Sequence, residues 1–316
     1  MNISLVVLTC NRKDSVIPLL KSLEEQTRYP EEVIVVDNNS TDGTSDCIKQ
    51  QFKFVRLVRL EENRGASGRN EGIKRAGGDL VITLDDDVFF AERCGIEKIE
   101  QIFETNRDVS VLNFQILDGE HQKIIPFNWF HPYEMERYAD QHLLTDYISE
   151  GAVCFRREVF AVVGFYPEEF FISHEGPDLS YRLLDNDFSI EYSPEIKVIH
   201  RCSTEHRVTW RNTYYDTRNQ IWLAIRNLPF FRALAHIFYR LFTTFLFALM
   251  RRQLRWYLKA VYDGFRGIGS ELKYRKPISK NTVSKIRNIR KHKPGVGYKI
   301  MSFVKRVNLI NKTFEV

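Results

Sequence analysis

Cysteine is sparse in this chain and never grouped: Cys10, Cys47, Cys94, Cys154 and Cys202 stand at wide, unequal intervals along 316 residues. That spacing offers neither a zinc module nor a dense disulfide framework, so a reducing, cytoplasmic compartment is the simplest setting. Internal repeats and low-complexity tracts are missing, which removes solenoids and disordered arrays from consideration. Met1 to Leu8 has no basic lead and no small-residue cleavage site, and reads as a first core strand rather than a signal peptide. A bilayer-length apolar run is missing too. His236 and Arg240 interrupt the stretch 233–250 and leave only the ten residues Leu241 to Met250, too few to span.

Acid is nearly absent from the C-terminal third. From Arg201 to Val316 there are 25 Lys and Arg against 5 Asp and Glu, a local charge of +20, whereas residues 1–200 hold 21 against 36, or −15. A basic tail suits an anionic surface, and an acidic body is a poor general binder of nucleic-acid backbone. An anionic membrane surface, and no nucleic acid, is therefore the expected partner. Hydrophobic content of 43% is that of a packed globule, and the heavy load of 23 Phe and 14 Tyr gathers after residue 210.

Ile3 to Thr9 is apolar and β-branched, as a buried strand requires, and ends at Cys10-Asn11-Arg12. Asp14 can cap a helix through Leu23, and Val33 to Val36 predicts a second strand halted by Asp37-Asn38-Asn39-Ser40-Thr41-Asp42-Gly43. Strands at Phe54 to Leu60 and Leu80 to Leu84, with a helix between them ending at Ala76, continue the alternation. The pattern predicts an α/β fold with a mainly parallel, Rossmann-like sheet flanked by helices. Residues 1–100 would form a nucleotide-binding half. Ligands of such sheets sit beyond the strands' C-terminal ends, where Thr9 to Arg12, Asp37 to Asp42, Asn63 to Asn70 and Asp85 to Asp87 converge.

Residues 101–209 are less regular, with strands expected at Ser110 to Leu117, Ile148 to Phe155, Ile190 to Tyr192 and Ile196 to His200, and short helices at Val159 to Phe165 and Asp178 to Leu184. They complete a catalytic domain 1–209 as an acceptor-binding half. Residues 210–316 form a helical, basic C-terminal region, weakly folded or peripheral beyond Lys273. Within it, 233–250 reads either as an interfacial helix with snorkelling basic ends or as a buried or homo-oligomer-forming one.

Asp85, Asp86 and Asp87 close the apolar run Leu80 to Leu84. Three adjacent carboxylates repel one another, and a divalent cation with oxygen ligands, Mn²⁺ or Mg²⁺, offsets the charge. A diphosphate would complete its shell and depart with its charge neutralised.

Four ordered motifs carry a resemblance: VVLTCNRK at Val6 to Lys13, VVDNNSTDGT at Val35 to Thr44, ENRGASGRNEGIKRA at Glu62 to Ala76 and LDDD at Leu84 to Asp87. Over residues 3–205 the sequence resembles the family 2 glycosyltransferases, inverting enzymes of the GT-A fold. The resemblance implies a sugar moved from a UDP- or dTDP-sugar to a hydroxyl of a saccharide or lipid-linked saccharide acceptor. It places Thr9, Asn11, Arg12 and Asp37 against base and ribose, Asn63, Gly65, Arg69 and Asn70 along the nucleotide cleft, and Asp85 near the ribose. Asp87, with or without Asp86, addresses the metal, and His200 either completes that shell or is a satisfied strand-end histidine. For Asp37 a turn carboxylate is the alternative, and for Arg69 a surface residue.

Inversion by direct displacement needs a general base for the acceptor hydroxyl. The family pattern E-D-x-D-L is matched by Glu175, Asp178, Leu179 and Arg182, but Gly176 stands where the usual carboxylate would be. Glu175 is the expected base and Asp178 its alternative, with His174 read as a surface residue. Gly151, Trp129 and Trp210 are assigned to the acceptor region. The basic, aromatic stretch from Trp210 to Arg226 resembles the tail of bacterial family 2 enzymes of surface-polysaccharide synthesis, such as rhamnosyltransferases, which implies a cytoplasmic protein peripheral to the inner face of the membrane. Two rival readings are a sugar-phosphate nucleotidyltransferase, against which the first loop lacks a glycine run, and a non-catalytic membrane adaptor that binds a sugar nucleotide.

Overall fold

The computed structural model describes residues 1–120, 122–126, 128–201, 209–295 and 297–298. Cys202 and the end of the basic arm, from 299 onward, lie outside the described residues.

Nine strands form one sheet: β1 (Ile3–Thr9), β2 (Glu32–Asp37), β3 (Val55–Arg59), β4 (Leu80–Asp85), β5 (Val88–Phe90), β6 (Val111–Asp118), β7 (Leu143–Leu144), β8 (Ala152–Arg156) and β9 (Ile190–His200). Their order is β3-β2-β1-β4-β8-β6-β9-β5, with β7 beside β9. The first four strands are parallel, as the alternation predicts; β8 then runs antiparallel between β4 and β6. Helices α1 (Lys13–Leu23), α2 (Thr44–Gln51), α3 (Arg69–Arg75), α4 (Gly95–Thr105), α5 (Met135–Tyr138), α6 (Val159–Val163) and α7 (Glu175–Asp185) flank it. Side chains alternate along β1 with the two-residue period of a strand. Ile3, Leu5 and Val7 meet α1 and α4 on one face, and Val6 meets α3 and α7 on the other.

Several local expectations change. Helix α1 begins at Lys13 with Arg12 at its N-cap, so Asp14 lies in the first turn, where its charge favours the helix terminus without capping it. The strand expected from Ile148 starts at Ala152: Thr83 Oγ1 donates to Glu150 O (2.6 Å) and Asp85 N to Gly151 O (3.1 Å), which holds 149–151 as a turn against β4. The two pieces expected around Pro194 form a single strand, β9. Its register against β6 shifts between Phe114 and Gln115, so that Pro194, which has no N–H to give, falls in the irregular step.

Beyond the sheet, α8 (Thr209–Asn227), α9 (Phe230–Met250), α10 (Leu254–Arg266), α11 (Ile268–Glu271) and α12 (Lys280–Ile289) follow. Ile221, Leu223 and Ala224 of α8 pack around Phe170, with Ala233 and Ile237 of α9. Helix α12 is docked rather than weakly folded: Ser279 caps it, and Ser279 N and Thr282 Oγ1 both donate to Asp185 Oδ1 at 2.7 Å.

Arg226 ties this region to the body. Its Nε donates to Glu271 Oε2 (2.5 Å) and its Nη2 to Glu169 Oε2 (2.9 Å), with Arg226 and Glu271 buried. Removing one partner of a buried ion pair strands the other charge. Glu271→Ala is expected to lower unfolding free energy by about 3 kcal/mol, read as a shift of the urea midpoint.

Candidate active site

The loops after β1, β2 and β4 meet because their strands are parallel and in register: Thr9 pairs with Asp37, and Leu8 with Asp85. Asn11, held at φ 54°, accepts from Thr41 N (2.7 Å), and its own N–H donates to Ser40 Oγ (2.8 Å), which locks the first two loops together. Asp37 is fully buried, and its oxygens accept from Ser40 N (2.8 Å) and Ser45 Oγ. These bonds hold the turn that follows β2. Asn63 Oδ1 accepts from Gly65 N (2.8 Å) and Asn38 Nδ2 (3.0 Å), so it shapes the third loop. Gly65 has φ 60°, and a Cβ there would overlap the Phe171 carbonyl, not a ligand. Asn70 is spent on Tyr166: its Nδ2 donates to Tyr166 O (2.9 Å), and its Oδ1 accepts from Tyr166 N (3.1 Å).

The three aspartates diverge in role. Arg12 Nη1 binds Asp86 Oδ1 (2.9 Å) and Arg12 Nη2 binds Asp87 Oδ2 (2.7 Å), while Thr9 Oγ1 donates to Asp86 Oδ2 (2.8 Å). Arg12 and Thr9 thus share the two oxygens of Asp86, which braces Arg12 at the ends of β1 and β4. Burial, against the pull of Arg12 and with the charge of Asp87 adding to it, pushes Asp86 up to about 7. Burial also opposes ionisation of Asp87, but the hydrogen bond and charge of His200, then Arg12, hold it well below the ordinary carboxylate range.

His200 reaches Asp87 because β5 pairs with β9, placing Val88 opposite His200. Its Nε2 lies 3.4 Å from Asp87 Oδ1. A carboxylate oxygen and an imidazole nitrogen brought together from two strands suit a borderline divalent ion such as Mn²⁺. Among the described residues no three His, Cys, Asp or Glu side chains form a metal cage. A metal held by Asp87 and His200 would therefore take further ligands from diphosphate and water.

Asp85 points to the other side of the cleft, where it pairs with Arg69 Nη2. Arg69 is buried, not a surface arginine, and sits among the charges of Asp85, Glu150 and Glu175. Gly151 lies here too, where a Cβ would overlap Asp85 Oδ2.

Glu175 opens α7 and is buried, with Oε2 unpartnered; burial, then the charge of Glu150, pushes it up to about 8. Asp178 offers no free oxygen: Oδ2 accepts from Arg182 Nε (3.0 Å) and Nη2 (2.8 Å), and Oδ1 from Asn227 Nδ2 (2.6 Å). His174 is half-buried rather than on the surface, its Nε2 2.6 Å from Asp216 Oδ1.

Trp129 lies inside a cluster with Tyr133 and Tyr192, donating Nε1–H to Tyr133 O (2.7 Å), so its face is not presented to a sugar. Trp210 stacks on Trp256 with centroids 4.2 Å apart. Sequence reasoning assigns Glu150 no role; the adjoining Gly151 is its local signal, since the register of β8 and the docking of α7 decide where the carboxylate falls.

The chain matches the family described as glycosyl transferase family 2 over residues 4–164. It is 28% identical over 171 residues to an uncharacterized glycosyltransferase, YwdF, of Bacillus subtilis, a match covering 52% of this chain and 62% of that relative, less than two thirds of its length. It is 24% identical to the dTDP-rhamnosyl transferase RfbF of Shigella flexneri, over 84% of this chain and 96% of that one. In fold it is similar to the mannosyltransferase PcManGT of Pyrobaculum calidifontis, solved with GDP-Man and Mn²⁺, at TM-score 0.57 and 15% identity, over 99% of this chain and 87% of that one.

The overlap of a Cβ at 151 with Asp85 sets a test. Gly151→Ala is expected to cost about 2 kcal/mol, and clearly less in an Asp85→Ala background. A double-mutant cycle of unfolding free energies measures that non-additivity.

Proposed function

The chain belongs to glycosyl transferase family 2, and on that premise we propose that it moves a sugar, with inversion, from a UDP- or dTDP-sugar to a hydroxyl of a saccharide or lipid-linked saccharide acceptor. One observation carries the reading: two acidic centres of opposite character face one cleft. At the first, Asp87 is kept ionised beside His200. At the second, Glu175 is buried and raised. Environments that push carboxylates apart in this way suit the first centre to charge stabilisation and the acidic cluster of the second to proton transfer.

Asp87 and His200 would hold Mn²⁺ or Mg²⁺, which when bound neutralises the charge of the departing diphosphate. Arg12, fixed on Asp86 and Asp87, adds a cation on the same side. Loops 10–12, 37–42 and 63–70 wall the donor side, with Asn11 and Asn63 setting their shape. The acceptor hydroxyl loses its proton to a carboxylate of the acidic cluster at the head of α7, where Glu150 and Glu175 stand, while Asp178 is bound by Arg182 and Asn227. Use of dTDP-rhamnose is supported by the likeness to the Shigella rhamnosyl transferase.

The C-terminal helices support a place at the cytoplasmic face of a membrane. Helix α9 has 21 residues and a mean hydropathy of 1.5 over its most apolar window, enough by length and composition to cross a bilayer, which corrects the ten-residue reading. One stripe of it is nonetheless packed: Ala233, Ile237, Thr244 and Ala248 are buried, and His236 Nε2 lies 2.6 Å from Gln220 Oε1 of α8. The opposite stripe, Phe231, Leu234, Phe238, Phe242 and Leu246, is exposed, as are Leu258, Tyr262 and Phe265 on α10. Arg232, Arg252 and Arg255 border these stripes in exposed positions. An apolar face rimmed by cations suits insertion into the interface of an anionic leaflet. Pairing with a second copy through 233–250 is the other occupant.

Calorimetry across UDP-, dTDP- and GDP-sugars with and without Mn²⁺ tests the donor assignment. Binding to one nucleotide class, strengthened by Mn²⁺, is expected, and Asp87→Asn should cut turnover at least about 100-fold. Pyrophosphate release from a nucleoside triphosphate and a sugar phosphate would instead mark a nucleotidyltransferase. For the membrane reading, Phe238→Glu with Phe242→Glu should abolish co-flotation with anionic phospholipid vesicles. A dimer-to-monomer change without loss of flotation would assign the face to self-association.

A further inference from the structure

We infer that Glu150, delivered from the turn before β8, is the carboxylate that takes the proton from the acceptor hydroxyl, filling the place that Gly176 leaves open at the head of α7. The inference rests on the transferase reading and deepens it. Gly176 N donates to Glu150 Oε1 at 2.6 Å. A Cβ on residue 176 would overlap that oxygen and crowd both the carboxyl carbon and the backbone carbonyl of Ile148. A side chain at 176 and the carboxylate of Glu150 therefore exclude each other, and an acidic group at the start of α7 can come from one or from the other. In this chain it comes from Glu150.

Its position is rigid. Thr83 Oγ1 donates to Glu150 O (2.6 Å), Asp85 N to Gly151 O (3.1 Å) and Ala152 N to Ser149 O (2.9 Å), so the turn is fixed to β4 on one side and closed on itself. Residue 150 as a whole is half-buried, whereas Glu175 is only 6% exposed. Two polar atoms of the neighbourhood, Glu175 Oε2 and the Tyr166 hydroxyl, are buried without a hydrogen-bond partner. An unpaired buried acceptor or hydroxyl is costly, and an incoming hydroxyl group would relieve it.

The charges facing Glu150 come from four elements: Arg69 of α3, Asp85 at the end of β4, Tyr166 after α6 and Glu175 of α7. Glu150 and Glu175 disfavour each other's ionisation. Burial, then the charge of Glu150, raises Glu175 to about 8. Glu150 is raised by burial as well, and the hydrogen bonds it accepts and the charge of Arg69 counter this. The step balances: the acceptor O–H bond breaks and its proton passes to Glu150. The acceptor oxygen then bonds the anomeric carbon, and the bond from that carbon to the diphosphate breaks with its electron pair leaving on the diphosphate.

Glu150→Gln keeps an oxygen for the Gly176 N–H and should fold. It is expected to leave the dissociation constant of the sugar nucleotide within twofold while lowering transfer at least 100-fold, and to remove the rise of kcat with pH expected of the wild type. Glu175→Gln should lower transfer by less than tenfold and retain that rise. Transfer within threefold of wild type in Glu150→Gln, or an unchanged pH profile, would overturn the inference. A wild type that binds no sugar nucleotide would instead overturn the transferase reading itself.

Discussion

The guanidinium of Arg69, buried and bonded to Asp85, is the charge around which the cleft is built. Asp85, Glu150 and Glu175 all act on it, and its charge answers theirs. The arrangement links the two halves of the site: Asp85 stands at the end of a parallel strand on the donor side, and Glu175 opens the helix on the acceptor side. Gly151 is small because Asp85 occupies its space, and Gly176 because Glu150 does. Two glycines that look unrelated in the chain thus answer the same crowding around one arginine.

A second arginine does parallel work a short distance along the strand ends. Arg12 bridges Asp86 and Asp87, and His200 adds to Asp87 from across the β5–β9 pair. The outcome is opposite to that around Arg69. Asp87 is held ionised, whereas Glu175 retains its proton, and the difference comes from how many donors each carboxylate meets rather than from burial, which both share.

The C-terminal helices are part of this construction. Asn219 of α8 donates to the carbonyls of Phe170 (2.9 Å), Ile172 (2.8 Å) and Ser173 (2.7 Å). Phe171, Ser173 and His174 all have positive φ, a conformation that side chains other than glycine adopt only when the surroundings impose it. Helix α8 supplies that imposition, and with it the orientation of Glu175. The same helix carries α9 and its exposed aromatic stripe on its other side. Whatever covers the stripe therefore presses on the element that aims the acceptor carboxylates.

Local chemistry determined much of this from the sequence alone. Period-two apolar strands, polar strand ends and the triplet at 85–87 are written in consecutive residues, so the parallel half and the donor loops were legible, as was the partnership of His200 with the triplet. What the tertiary structure decided are relations between residues far apart in the chain. Trp129 turned inward because Tyr133 and Tyr192 close over it, Asn70 was claimed by Tyr166, and Asp178 by Arg182 and Asn227. Glu150 is the sharpest case. No sequence pattern says that a glutamate before β8 fills the space of a missing side chain at 176, because the register of β8 against β4 and the docking of α7 bring them together. Motifs encode backbone direction and charge, which are short-range; which carboxylate meets which cation is settled only when the sheet closes.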